Sequence, residues 1–365
     1  MPDLKEQAFS KANLLKCKGY DPKFIKSTVN INPDPVLNKT QKASLPKTVE
    51  GNTKRILHYT GLSVFYNSKR KVPFFAVYNI DGKGKENKTS RPQFHQDPRI
   101  ETKIQLDFAF YDLRTDITEF EIGHMASNNE MGRGAEGKLK AWQTFHFTNS
   151  VPQAEKLNTG IWKGLESYVI KEAANIKNNK KICVFTGPLL KANDPKYVKD
   201  KSFRIPLLFF KVIVFPTSKG VFSTAFIMSH AEKMIEDGMI AAVPEALGED
   251  EPFSDFPYKK VFQVNVDFLE KESGLKFTWK GVKKVKVPNQ KNQIKKIKSI
   301  KDAKDAAKAI KDGSIESITS VRSHDKAEAR IAVRKGLVPQ AMLSNADLTA
   351  KELAQKKFKL NIVLP

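Results

Sequence analysis

Cysteine is scarce in this chain. Cys17 and Cys183 are two among 365 residues, enough for one disulfide at most, which says little about redox compartment. With no CxxC pair and no Cys/His cluster, the sequence also argues against a structural zinc site. Long apolar runs are missing as well. The longest, "RIPLLFFKVIVF" from Arg204 to Phe215, is interrupted by Lys211 and falls well short of the roughly 20 residues that span a bilayer. It reads as a buried strand, and a membrane partner is not expected. The first twenty residues carry charges throughout and do not form a secretory signal peptide. Acidic residues are few relative to basic ones, 40 against 63. The resulting formal charge of +23 and pI near 9.7 point to a polyanionic partner. The glycine-containing turn "DGKGKEN" lacks the spacing and Lys-Ser/Thr ending of a phosphate-cradling loop.

Three parts are expected from composition. Residues 1–50 are polar and proline-punctuated and read as an extended arm with one short helix near Phe9 to Leu15. Residues 51–285 carry the alternating apolar pattern of a folded body. Residues 286–365 read as a basic, mostly helical extension. Within the body, "ILHYTGLSVFYNSKRKVPFFAVYNIDG" places two β-branched and aromatic runs around "NSKRK", a hairpin signature. "KIQLDFAFYDL" fits a strand or a short helix equally well. Leu157, Ile161, Leu165 and Val169 recur every four residues, the stripe of an amphipathic helix. "KICVFTGPLL", "IPLLFFKVIVFPTS" and "GVFSTAFIMS" are three strand-like runs bounded by Gly, Pro and Ser. Between Lys280 and Lys311 twelve lysines meet two aspartates, so +10 of the net charge sits in under a tenth of the chain. By default such a run is a solvated face; its density also suits a grip on phosphates that reads no sequence.

Candidate chemistry gathers around "TEFEIGHM" and "FHFTNSVPQAEKLNTGIWKGLESY". His124 suits a general base, because a neutral imidazole accepts protons near pH 7. A lone histidine is more often structural, and His146, inside an alternating strand, reads that way. Asn158 offers a neutral oxygen to a hard cation such as Mg²⁺, which keeps several waters and leaves its charge for a substrate phosphate. Glu166 lies eight helical residues further on, roughly 12 Å along the axis, so a role through metal-bound water is expected.

"EIGHM", "FHFTNSVPQ", "LNTGIWKGLESYV" and "VFTGP" resemble the DNA/RNA non-specific endonuclease family, whose motif is D-R-G-H. The resemblance extends through "DPRI", "WQTFHFTNSVPQ" and "FQVNVDFLEKESGLKF", over roughly residues 55 to 278. It implies an α+β, ββα-metal (His-Me finger) nuclease fold, with a central antiparallel sheet flanked by helices and the Lys-rich helical extension appended. It also implies metal-dependent hydrolysis of DNA and RNA with little sequence preference. By position the base is His124, the metal ligand Asn158, and the earlier asparagine of the site Asn149. Glu166 falls on the water-positioning glutamate, and the resemblance implies Mg²⁺, with Mn²⁺ or another divalent ion as substitute. Gln153 is a further site candidate.

The motif departs at two positions, with Glu121 for aspartate and Ile122 for arginine. The missing charge would come from Arg91, Arg99 or Arg133, with Arg91 and Arg99 of "RPQFHQDPRI" preferred. Ile122 also keeps a second reading open, a catalytically weakened nuclease scaffold acting as a nucleic-acid-binding or effector protein. A free non-specific nuclease would attack its host's genome, so export or an inhibitor or immunity protein is implied.

Overall fold

A computed structural model describes residues 3–84, 87, 90–111, 120–154, 162–173, 181–198, 200–230 and 261–286. Asn158 and the lysine-rich stretch beyond residue 286 lie outside them.

The "NSKRK" turn joins two strands as its flanking runs require. β1 (Leu57–Tyr59) and β2 (Leu62–Asn67) form one hairpin, and β2 returns across the turn to β3 (Val72–Asp81). Leu62 faces Tyr78 and Phe65 faces Phe75, with a register shift between Phe65 and Tyr66. A second, two-stranded sheet pairs β4 (Glu121–His124) with β5 (Ser150–Gln153). The three apolar runs become β6 (Lys181–Leu189), β7 (Leu208–Thr217) and β8 (Gly220–Ser229). β9 (Val261–Val264) and β10 (Val282–Lys284) share the outer edge of β8. The large sheet thus runs β1-β2-β3-β6-β7-β8 with every neighbour antiparallel, and only β10 joins β8 in parallel.

Both faces of this sheet are covered. Along β7, Phe209, Ile213 and Phe215 belong to one core, while Leu208, Phe210, Val212 and Val214 belong to the other, the period-two alternation of a strand. Lys211 occurs at an odd-numbered position among the first set and is fully buried. The first core includes Met125, Phe147, Val151, Trp162, Leu165 and Val169, which come from the small hairpin and its neighbours.

The described helices are α1 (Leu4–Phe9), α2 (Lys11–Leu14), α3 (Lys39–Lys42), α4 (Phe108–Tyr111), α5 (Asn128–Met131), α6 (Gly137–Gln143), α7 (Lys163–Ala173) and α8 (Val266–Ser273). The ambiguous stretch, residues 103–113, enters a 3-10 turn over Thr102–Ile104 and then α4, and residues 112–113 lie outside the described residues. α7 buries Leu165 and Val169 as its stripe requires. α8 ends at Gly274, whose φ of 67° is a left-handed position that glycine adopts without a Cβ penalty. The N-terminal segment is no loose arm. Leu14 and Val49 enter the first core, and Tyr20, Ile25, Ile31, Val36, Leu37 and Leu45 enter the second.

Candidate active site

His124 is the last residue of β4 and faces Ser150 across the small hairpin. Its ring lies 4.7 Å from Phe94 and 4.6 Å from Phe145 by centroids, and the residue is 7% exposed. Burial pushes the imidazole down from 6.5 to about 3, and the charge of Arg91 adds to the shift. The ring is therefore neutral at pH 7. Its Nε2 has no hydrogen-bond partner among the described residues. The open Nε2 can accept a hydrogen bond or a proton, but burial and Arg91 disfavour the charged ring, so proton uptake needs negative charge brought in by a substrate phosphate.

The turn after His124 is held by Asn149. Met125 donates its backbone N–H to Asn149 O at 2.8 Å, and Ala126 donates to Asn149 Oδ1 at 3.0 Å. The Asn149 amide donates to Ala126 O and Thr144 O, each at 2.9 Å. Asn149 is fully buried, and these bonds aim it at the backbone rather than at solvent. It fixes the exit of β4, and so the setting of the histidine.

Gly123 is required by its neighbour on β5. A Cβ at this position would overlap the side-chain amide of Gln153, which crosses directly over it. Neither amide atom of Gln153 has a partner among the described residues, although the residue is fully buried. A buried amide left open over Gly123 has donor and acceptor capacity for a ligand.

Glu166 is in the first turn of α7 and is 7% exposed, with Oε1 buried and unpartnered among the described residues. Burial, reinforced by the nearby Glu130 carboxylate, pushes its carboxyl up from 4.5 to about 8. Lys211, Ser127 and Trp162 pull the other way. Lys211 is paired directly with Glu130, at 3.1 Å to Oε1, and both side chains are fully buried. The one ammonium in this dry setting is thus paired with Glu130, and its attraction on Glu166 is outweighed by burial and by Glu130. Without a cation this burial favours the neutral acid; a hard divalent cation would favour the carboxylate, and its unpaired oxygen suits such an ion or its water, so the residues present fit a divalent metal at this point. Asn158, the expected direct ligand, lies outside the described residues.

The arginines separate clearly. Arg91 is exposed, with its guanidinium 5.8 Å from the Phe145 ring that flanks His124. Arg99 does not face the site. Its Nε and Nη2 donate to Asp97 at 3.0 and 2.7 Å, and its Nη1 donates to Leu14 O and His58 O at 3.1 and 2.6 Å. Only 3% of the Arg99 side chain is exposed, so its charge is committed inside the fold and unavailable to a phosphate. Arg133 follows α5, half-buried, with Nε unpartnered among the described residues. Ile122 packs against the first core, so no charge stands at that position.

A hairpin ending in a buried neutral histidine, followed by a helix with a buried glutamate and backed by an antiparallel sheet, is consistent with the ββα-metal fold. The chain belongs to the DNA/RNA non-specific endonuclease family, whose model matches residues 40–284. Among curated proteins it is 26% identical over 269 residues to the uncharacterized protein y4fB of Sinorhizobium fredii. That match covers 71% of this chain but 39% of the relative, so the chain spans about two fifths of that protein's length. Among solved structures it is similar to the crystal structure of an EndoG/EndoGI complex, with 20% identity and a TM-score of 0.44, covering 60% of this chain and 84% of that one.

Sequence reasoning missed Glu130, Lys211 and the Asp97–Arg99 pair. One signal was present: a lysine inside an otherwise apolar strand has to find a partner.

Proposed function

We propose that this chain is a metal-dependent, sugar-non-specific endonuclease that hydrolyses phosphodiester bonds of DNA and RNA. The observation that carries the reading is the state of His124: buried, neutral, and with Nε2 unpartnered among the described residues. In that state the imidazole takes a proton from water as the water oxygen bonds to phosphorus in line with the departing sugar oxygen. Asn149 keeps the ring in register through the turn. Gln153 offers its amide to a non-bridging phosphate oxygen. Arg91 supplies the charge that position 122 lacks. Mg²⁺, or Mn²⁺ in its place, would be held by Asn158 and, through a water, by Glu166, and when bound it supplies positive charge to the phosphoryl and leaving oxygens. The lysines between Lys280 and Lys311 would concentrate the polyanion by contacting phosphates.

Ile122 favours the rival reading, a scaffold that binds nucleic acid without cutting it. Incubation of supercoiled plasmid and of an unstructured RNA with the protein separates the two. Cutting of both substrates with Mg²⁺ or Mn²⁺, abolished by a chelator and falling steeply with salt, is the expected outcome. Binding without cutting in either metal would select the rival. Cutting that survives chelation would remove the metal from the reaction.

A further inference from the structure

Lys211 occupies the middle of β7 with no exposed surface, on the sheet face that supports the site. Its Nζ lies 3.1 and 3.3 Å from the two oxygens of Glu130 and 3.1 Å from the Tyr78 hydroxyl. Tyr78 in turn donates to Glu130 Oε2 at 2.7 Å, which closes a ring of three side chains. The ammonium also sits 5.1 Å from the Trp162 ring centroid, at the start of α7, where a cation on an aromatic face is favourable. Ser127 completes the connection. It caps α5 by accepting from Glu130 N at 3.3 Å and donates to Glu130 Oε2 at 3.0 Å, three residues past His124. The same hydroxyl and the Trp162 indole face Glu166.

Four elements therefore meet at one buried point: the turn after His124, β3, β7 and α7. Stability alone is a weak reason for such a pair. Buried ion pairs often contribute no more than apolar residues of the same volume, because desolvation offsets the attraction. What the pair does supply is a fixed charge environment for the carboxyl of Glu166, whose Oε1 is unpartnered among the described residues, with the Lys211 ammonium set against the Trp162 ring at the head of the same helix.

We propose that Lys211 and Glu130 are positioning residues that hold Glu166 in place for the metal's water, with Ser127 tying them to the histidine turn. The inference rests on the nuclease reading of the site. Its test has a second readout that needs no cutting, the binding of Mn²⁺ followed by the electron spin resonance of the free ion. The variant is the double substitution Glu130→Leu with Lys211→Met, which removes the pair without changing net charge and keeps the volume apolar. Folding is checked by circular dichroism and thermal unfolding.

The expected result is a folded protein with Mn²⁺ affinity and kcat each lowered about 10- to 100-fold, the usual range for residues that orient a ligand, and KM for nucleic acid unchanged. A folded double variant with both quantities within twofold of wild type would overturn the proposal. If the double variant does not fold, Ser127→Ala, which leaves the ion pair intact, decides: lower kcat and weaker Mn²⁺ binding support the inference, and wild-type values overturn it. Wild-type protein that binds Mn²⁺ but never cuts would sink the nuclease reading alone, and the Mn²⁺ comparison would still decide this one. Wild-type protein that binds no Mn²⁺ would overturn it.

Discussion

Acidification from pH 7 to pH 5 is expected to weaken this fold by about 3–4 kcal/mol, through groups that titrate differently in the folded and unfolded chain. Burial holds His124 down to about 3, and His58, His146 and His230 down to about 4, against an ordinary 6.5. A folded value below the unfolded one gives stability that is present above pH 6.5 and is lost as pH falls toward the folded value. At pH 5 the unfolded chain gains each of these protons and the folded chain largely does not, a loss of about 1.8 kcal/mol per histidine and about 7 for the four. Two carboxyls oppose this. Burial raises Glu166 to about 8 and Asp194 to about 6, so their contribution grows as pH falls. Together they return about 4 kcal/mol over the same interval. The remainder is a large fraction of the 5–15 kcal/mol typical of a domain. The assay is urea unfolding of chelator-treated protein at pH 7 and pH 5 at matched ionic strength. Equal or greater stability at pH 5 would refute the reasoning, as would imidazole resonances of these histidines that titrate near pH 6.5 in the folded protein.

Three further perturbations discriminate among the site residues. Gly123→Ala places a methyl on the Gln153 amide and is expected to lower stability by about 1–3 kcal/mol and to slow cutting; wild-type melting and activity would show that the amide moves freely. Arg91→Ala should leave stability within about 0.5 kcal/mol while raising KM for DNA. Arg99→Ala should destabilise by about 3–5 kcal/mol because Asp97 is left buried and unpaired, and the reverse pattern would mean that the two arginines have exchanged roles. Replacing Lys295, Lys296, Lys298 and Lys301 by glutamine should reduce the salt slope of DNA binding by about 0.9 for each phosphate that is no longer neutralised, and an unchanged slope would make the run a solvated face.

Much of the fold was legible because strand and turn signals are local. The "NSKRK" hairpin and the three runs that became β6, β7 and β8 needed only alternation and bounding turn residues. Residues 103–113 were not resolvable, since a stretch this short carries too few residues to separate a period of 2 from one of 3.6. The N-terminal segment read as an arm because its buried residues, such as Ile31 and Leu45, are scattered and show no period; tertiary packing alone recruits them. For the candidate site, the resemblance singled out His124, Gln153 and Glu166 as candidates but did not tell Arg91 from Arg99. That difference depends on Asp97, which precedes Arg99 by two residues and takes its guanidinium inward. Glu130 and Lys211, 81 residues apart, carry no shared local signal, and only the sheet brings them together.

The central claim is that His124 takes the proton in the reaction, and the direct measurement is the rate of plasmid cutting by wild type and by His124→Ala under the same metal. The account predicts a folded variant slower by about 10²–10⁴-fold, the usual contribution of a general base, with DNA affinity retained and part of the rate restored by added imidazole. A folded variant that cuts at the wild-type rate would contradict it.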